Sequence, residues 1–203
     1  NSIILYFYYL MRAVLFPGQG SQYVGMGSDF YEKFDSVKKI FKTVDETLGF
    51  SLSKLILNGP EKELKLTQNT QPAIMTIGVS IFNVLNHQFG LDLNNSKFFA
   101  GHSLGEYTAL ACAEALSFSE TLKLLRIRGK SMQDAVPKGE GGMVAILGST
   151  PSKIEQIFSE NKNNYECFIA NDNSTGQQVV SGKLNNLDLL MKDLKTYMVF
   201  YLE

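Results

Sequence analysis

The stretch Lys97-Phe98-Phe99-Ala100-Gly101-His102-Ser103-Leu104-Gly105-Glu106 carries a short apolar run into a glycine-flanked serine and then into an alanine-rich segment that reaches Leu116. The apolar run reads as a strand and the alanine-rich segment as a helix by propensity. Ser103 therefore falls on a strand-to-helix turn, the context that Gly-x-Ser-x-Gly needs to act as a nucleophile elbow. The glycines answer a steric need, because the serine backbone is strained and side chains two residues away would strike the neighbouring strand and helix. Such a turn lifts the hydroxyl to a helix N-terminus, where the macrodipole favours developing negative charge, and aims the backbone N–H of Leu104 at an oxyanion. A glycine-flanked serine that only caps a helix is the other reading of these residues.

Upstream, Ala13 to Phe16 is a second short apolar run, broken by Pro17-Gly18 and followed by Gln19-Gly20-Ser21-Gln22. The pattern is strand, tight loop, helix. The loop lacks the Lys-Ser/Thr of a P-loop and the third glycine of a dinucleotide fingerprint, so a nucleotide site is a poor fit. Its backbone amides are instead candidates for a second oxyanion donor. Gln71-Pro72 is expected to open a long amphipathic helix through Ile74, Ile77, Ile81, Val84, Leu85 and Phe89, stopped by Gly90.

Downstream of the elbow, Ser117 and Glu120 form a capping-box pair for a helix running to about Ala135, before Pro137. On that helix Arg128 falls inside the apolar arc of Phe118, Leu122, Leu124, Leu125 and Met132, while Arg126 falls just outside it. An inward arginine needs an anion, either a local acid or the carboxylate of a ligand held by its guanidinium fork. After glycines 139, 141 and 142 the order becomes strand (Met143–Leu147), helix from Pro151, two strands (Glu166–Ala170 and Gln177–Ser181) flanking a turn over Asn171–Gly176, helix, and a last strand near Val199–Leu202. That is the ferredoxin-like order.

The 203 residues suffice for one large domain or a domain with a smaller subdomain. A hydrophobic share of 44%, a charged share of 19% and a net charge of −1 give no sign of nucleic acid or an anionic membrane as partner. Cys112 and Cys167 stand in apolar surroundings without metal-ligand spacing and read as reduced core residues; with only two histidines, His87 and His102, no multi-histidine metal site is expected. The apolar segment 1–10 lacks a basic flank and a cleavage site and is too short to span a membrane. Residues 1–10 are therefore read as an upstream extension preceding Met11, and the chain as cytoplasmic.

Taken together, Phe16-Pro-Gly-Gln-Gly-Ser-Gln22, Ala100-Gly-His-Ser-Leu-Gly-Glu-Tyr-Thr-Ala-Leu110, Arg128-Gly-Lys-Ser-Met-Gln133 with Ala135-Val-Pro137, and Asn171-Asp-Asn-Ser-Thr-Gly-Gln177 resemble the malonyl-CoA:acyl-carrier-protein transacylase family and related acyltransferase domains. The resemblance covers Met11 to about Leu194. It implies an α/β fold with a hydrolase-like core and a parallel sheet, incomplete here, over 11–138, and an inserted ferredoxin-like α+β subdomain over 139–203. It further implies that Ser103 is the nucleophile, that the amides of Gln19 and Leu104 form the oxyanion hole, and that Arg128 grips the substrate carboxylate. Malonyl-CoA and an acyl carrier protein would be the partners of a monomer that needs no cofactor, the CoA thioester being a substrate.

In the resembling family the general base is a histidine beyond the ferredoxin-like subdomain, in a segment this chain does not contain. His102, next to the nucleophile on a sharp turn, is expected to point away from it, and His87 reads as a surface or packing residue. The chain is thus expected to be a C-terminally truncated piece of a longer enzyme. Three alternatives remain: a serine hydrolase, which has no use for an inward arginine; a catalytically inactive acyl-CoA or carrier-protein binding fragment; and an acyltransferase domain of a larger synthase, disfavoured by a start near Met11.

Overall fold

The computed structural model describes residues 12–136, 139–160, 166–194 and 198–201. The expected upstream extension lies outside them. The chain divides into two units, Asn1–Asp134 and Ala135–Glu203.

In the first unit, strand β1 (Ala13–Phe16) is followed by helices α1 (Ser28–Lys33), α2 (Asp35–Leu48), α3 (Leu52–Asn58), α4 (Glu61–Leu64) and α5 (Thr67–His87), then β2 (Phe98–Gly101), α6 (Leu104–Cys112) and α7 (Phe118–Asp134). The strands pair in parallel from Ala13 opposite Phe98 to Phe16 opposite Gly101. Parallel pairing demands a crossover, and the helices between the strands supply it. Val37, Phe41 and Val44 recur at helical spacing on α2 and are buried with Leu52 and Ile56 of α3, Met75 of α5 and Leu122 and Leu125 of α7. Each such side chain contributes roughly 1.5–3 kcal/mol by leaving water. Phe16, Phe82, Ala109 and Cys112 form a smaller cluster on one face of the strand pair.

Two boundaries differ from expectation. Helix α5 begins at Thr67, so Pro72 lies inside it rather than at its first position. Helix α6 ends at Cys112 because Glu114 turns left-handed (φ 58°), with Ala115 N–H donating to the Leu110 carbonyl and Glu114 N–H to that of Ala111. This is a Schellman closure, and it overrides the helical propensity of the alanines that follow. On α7, Leu124 and Met132 are exposed, so the buried arc is narrower than their apolar character suggests. The capping pair is present: Glu120 N–H donates to Ser117 Oγ at 3.3 Å, and the Ser117 hydroxyl to the Glu120 carboxylate.

The second unit runs β3 (Gly141–Leu147), α8 (Pro151–Glu160), β4 (Cys167–Ser174), β5 (Gln177–Lys183), α9 (Leu184–Asp193), β6 (Met198–Tyr201). Its strands pair antiparallel in the order β4-β5-β3-β6, the ferredoxin-like arrangement. Val144, Ile146 and Val180 of the sheet pack with Ile154 and Ile157 of α8 and Leu187 and Leu190 of α9. The polar run Asn171–Ser174, expected to be turn, continues β4 instead. Two irregularities in register, at Ile169/Asn171 and Asp172/Ser174, absorb it, and the turn contracts to Thr175-Gly176.

Candidate active site

Ser103 links β2 to α6 with φ 55° and ψ −112°, a positive φ that a non-glycine residue holds only when its surroundings impose it. The imposing contacts come from both glycines. A Cβ at Gly101 would overlap the backbone of Gly105, and one at Gly105 would overlap the Phe16 carbonyl and lie 2.8 Å from that of Pro17. His102 N–H donates to the Phe16 carbonyl at 3.1 Å, tying the elbow to the end of β1.

That tie brings the 17–22 loop beside the serine. Gln19 and Gly20 form a turn, pinned where Gly20 N–H donates to Gln22 Oε1 at 2.8 Å and the Ser21 hydroxyl to the Gly18 carbonyl at 3.3 Å. Leu104 is the first residue of α6, with its side chain buried, so its N–H belongs to the helix end that carries partial positive charge. Ser103 itself is exposed.

Arg128 reaches this serine from α7. Its Nη2 donates to Ser103 Oγ at 3.0 Å and its Nη1 to Gln71 Oε1 at 2.8 Å, with the guanidinium 5.7 Å from the Tyr107 ring centre. Among the described residues no carboxylate forms an ion pair with it. Of the five guanidinium N–H groups, those not given to Gln71 and Ser103 suffice for a two-point grip on a carboxylate. Gln71 is buried, and its amide also donates to Met132 Sδ at 3.2 Å. The sequence reading missed Gln71; a glutamine ahead of a proline in an apolar helix was its one signal.

Arg126 is also half-buried, against expectation. It donates to the Gln68 carbonyl at 2.9 Å and to Asn69 Oδ1, and its guanidinium lies 4.7 Å from the Phe50 ring centre. Burial draws its pKa below the usual arginine value. Next to Arg128, Gly129 lets α7 approach α5 so closely that a Cβ there would lie 2.6 Å from Gln68 Cα.

His102 Nδ1 lies over Gly18, where a Cβ on that glycine would be 2.7 Å from it. His87 is exposed at the opposite end of α5 from Gln71, about 24 Å away by helical rise. Cys112 and Cys167 are free and buried, and desolvation pushes the Cys112 thiol up to about 12, which removes it as a nucleophile. Among the described residues, no group of three or more His, Cys, Asp or Glu side chains could hold a metal ion, and no helix is long and apolar enough to cross a membrane.

Comparison with known proteins places the chain among acyltransferases. The malonyl CoA-acyl carrier protein transacylase of Bacillus subtilis strain 168 is 43% identical over 180 residues, which cover 87% of this chain and 55% of that protein. A crystal structure of the transacylase of that name from Clostridium perfringens superimposes with a TM-score of 0.84 at 41% identity, covering 94% of this chain and 60% of the other. A type II PKS acyl-carrier protein in complex with its malonyl-transacylase gives a TM-score of 0.84 at 36% identity, with 94% and 62% covered. The chain thus spans little more than half the length of these relatives. Residues 14–202 match the acyl transferase domain family, and to that family the chain belongs.

Proposed function

We propose that this chain carries the nucleophile and the acyl-binding arginine of a malonyl-CoA:acyl-carrier-protein transacylase acting in the cytoplasm in fatty acid biosynthesis. Ser103 attacks the thioester carbonyl of malonyl-CoA, and the amides of Leu104 and Gln19 hold the oxyanion of the tetrahedral intermediate. Its collapse breaks the C–S bond and releases CoA as a thiol, leaving a malonyl ester on Ser103. The phosphopantetheine thiol of the carrier protein then attacks that ester and regenerates the serine hydroxyl. A covalent relay of this kind divides one transfer into two similar half-reactions and needs no cofactor. The proton from Ser103 is not assigned to either histidine of this chain.

The observation that carries the reading is Arg128 Nη2 at 3.0 Å from Ser103 Oγ, because it sets a carboxylate-binding fork beside a strained nucleophile. A hydrolase of neutral esters would gain nothing from that cation. The test is intact and peptide mass spectrometry after incubation with malonyl-CoA. A malonyl adduct on the Ser103 peptide, absent from Ser103→Ala, is expected. An adduct that persists in Ser103→Ala would remove Ser103 as nucleophile, and tight malonyl-CoA binding without any adduct would leave a binding fragment.

A further inference from the structure

The first turn of α5 has a defect, and α7 repairs it. Proline has no N–H, so Pro72 cannot donate to the carbonyl of Gln68 one turn earlier. An unpaired, partly buried carbonyl is costly, and Arg126 Nη1 donates to it at 2.9 Å while also reaching Asn69 Oδ1. Gly129 admits a close approach of the two helices at Gln68. Beyond it on the same turn, Gln71 accepts from Arg128. One turn of α5 is thus held by two arginines of α7, one repairing the helix and the other facing the nucleophile.

We propose that Arg126 is a positioning residue for the acyl-binding site, holding Gln71 in register so that Arg128 presents its fork to a charged acyl group. This rests on the function proposed above. The turn has separate anchors toward α4, since Asn69 Nδ2 donates to the Glu63 carbonyl at 2.7 Å and the Thr70 hydroxyl to that of Leu64 at 2.6 Å. Loss of Arg126 therefore releases the α7 side of the turn and leaves the other side fixed. Arg128 then loses the acceptor that orients it.

The test compares malonyl-CoA with acetyl-CoA, which differ in the carboxylate, by calorimetric affinity on the full chain carrying Ser103→Ala, where no acyl transfer competes with binding. In Arg126→Met the malonyl-over-acetyl affinity ratio falls about fivefold with acetyl-CoA affinity unchanged. In a Pro72→Ala background the new N–H satisfies Gln68, and the same substitution lowers the ratio about twofold or less. An unchanged ratio with a lower melting midpoint, or equal weakening of both ligands, overturns the positioning role and leaves a stabilising arginine. If Arg126→Met does not fold, Arg126→Lys makes the same comparison, since it keeps one donor but loses the planar fork over Phe50; there too an unchanged ratio overturns the role. Should the parent chain itself show no preference for malonyl-CoA, the proposed function falls first, and that result is distinct from a preference that survives in the variants.

Discussion

Arg128 donates to Ser103, the proposed nucleophile, and is also the group proposed to bind the substrate carboxylate. A charge-assisted hydrogen bond to a carboxylate is worth about 1.5–3 kcal/mol. Arg128→Ala is therefore expected to weaken malonyl-CoA binding about 10- to 100-fold while sparing acetyl-CoA. An unchanged malonyl preference, measured by calorimetry on the two thioesters, would take Arg128 out of the site. Gly105 makes the second residue-scale case. Its missing Cβ is filled by the Phe16 and Pro17 carbonyls, so Gly105→Ala forces backbone to move. A loss of about 2–3 kcal/mol in urea unfolding is expected, together with loss of the Ser103 adduct. A variant of parental stability would mean that the elbow tolerates a side chain there.

At the scale of elements, α7 depends on its cap. Ser117 Oγ accepts from Glu120 N–H, and Ser117→Ala is expected to cost about 1 kcal/mol, read as a lower thermal midpoint. Strand β6 is tied to α9 where the Tyr201 hydroxyl donates to Asp188 Oδ1 at 2.7 Å. Burial first, and Asp188 second, push this phenol up to about 12 from an ordinary 10. A raised folded pKa means that the tie contributes fully below pH 10 and is lost as pH rises toward 12. The parent should lose part of its stability over that window, and Tyr201→Phe should lose less; equal losses would show that the tie contributes nothing. Much of this level was legible from sequence. The β2–Ser103–α6 turn was readable because the glycine spacing is local, and so was the ferredoxin-like order, because apolar runs and turn residues alternate along the chain. The start of α5 was not, since Pro72 reads as a first-turn residue unless a donor from α7 replaces the missing N–H. Gln71 and Arg126 share that limit, because their roles exist only where two helices distant in sequence cross. Polar Asn171–Ser174 reads as turn by composition, and only the register with β5 shows it as an irregular strand.

The largest scale is that of the two units, each with its own hydrophobic cluster. In the second unit the cluster is confined to one face of the sheet, where Val144, Ile146 and Val180 meet α8 and α9. On the alternate face, Phe200 stands opposite Ala145, Met198 opposite Leu147 and Phe168 opposite Ser181. Phe168 is 70% exposed and Met198 67%. A four-stranded sheet with two covering helices has the makings of an independent fold, yet about 70 residues leave little reserve of buried area. The segment 135–203 expressed alone is therefore expected to unfold cooperatively with a stability of about 3–5 kcal/mol and to bind a hydrophobic dye through the Phe168–Phe200 face. Replacing Phe168 and Phe200 with threonine should abolish dye binding and leave the urea midpoint nearly unchanged, because neither residue belongs to the buried cluster. If the isolated segment instead shows no cooperative transition, the cluster beneath α8 and α9 is not a sufficient core. The exposed face would then be surface that this unit must bury in order to fold.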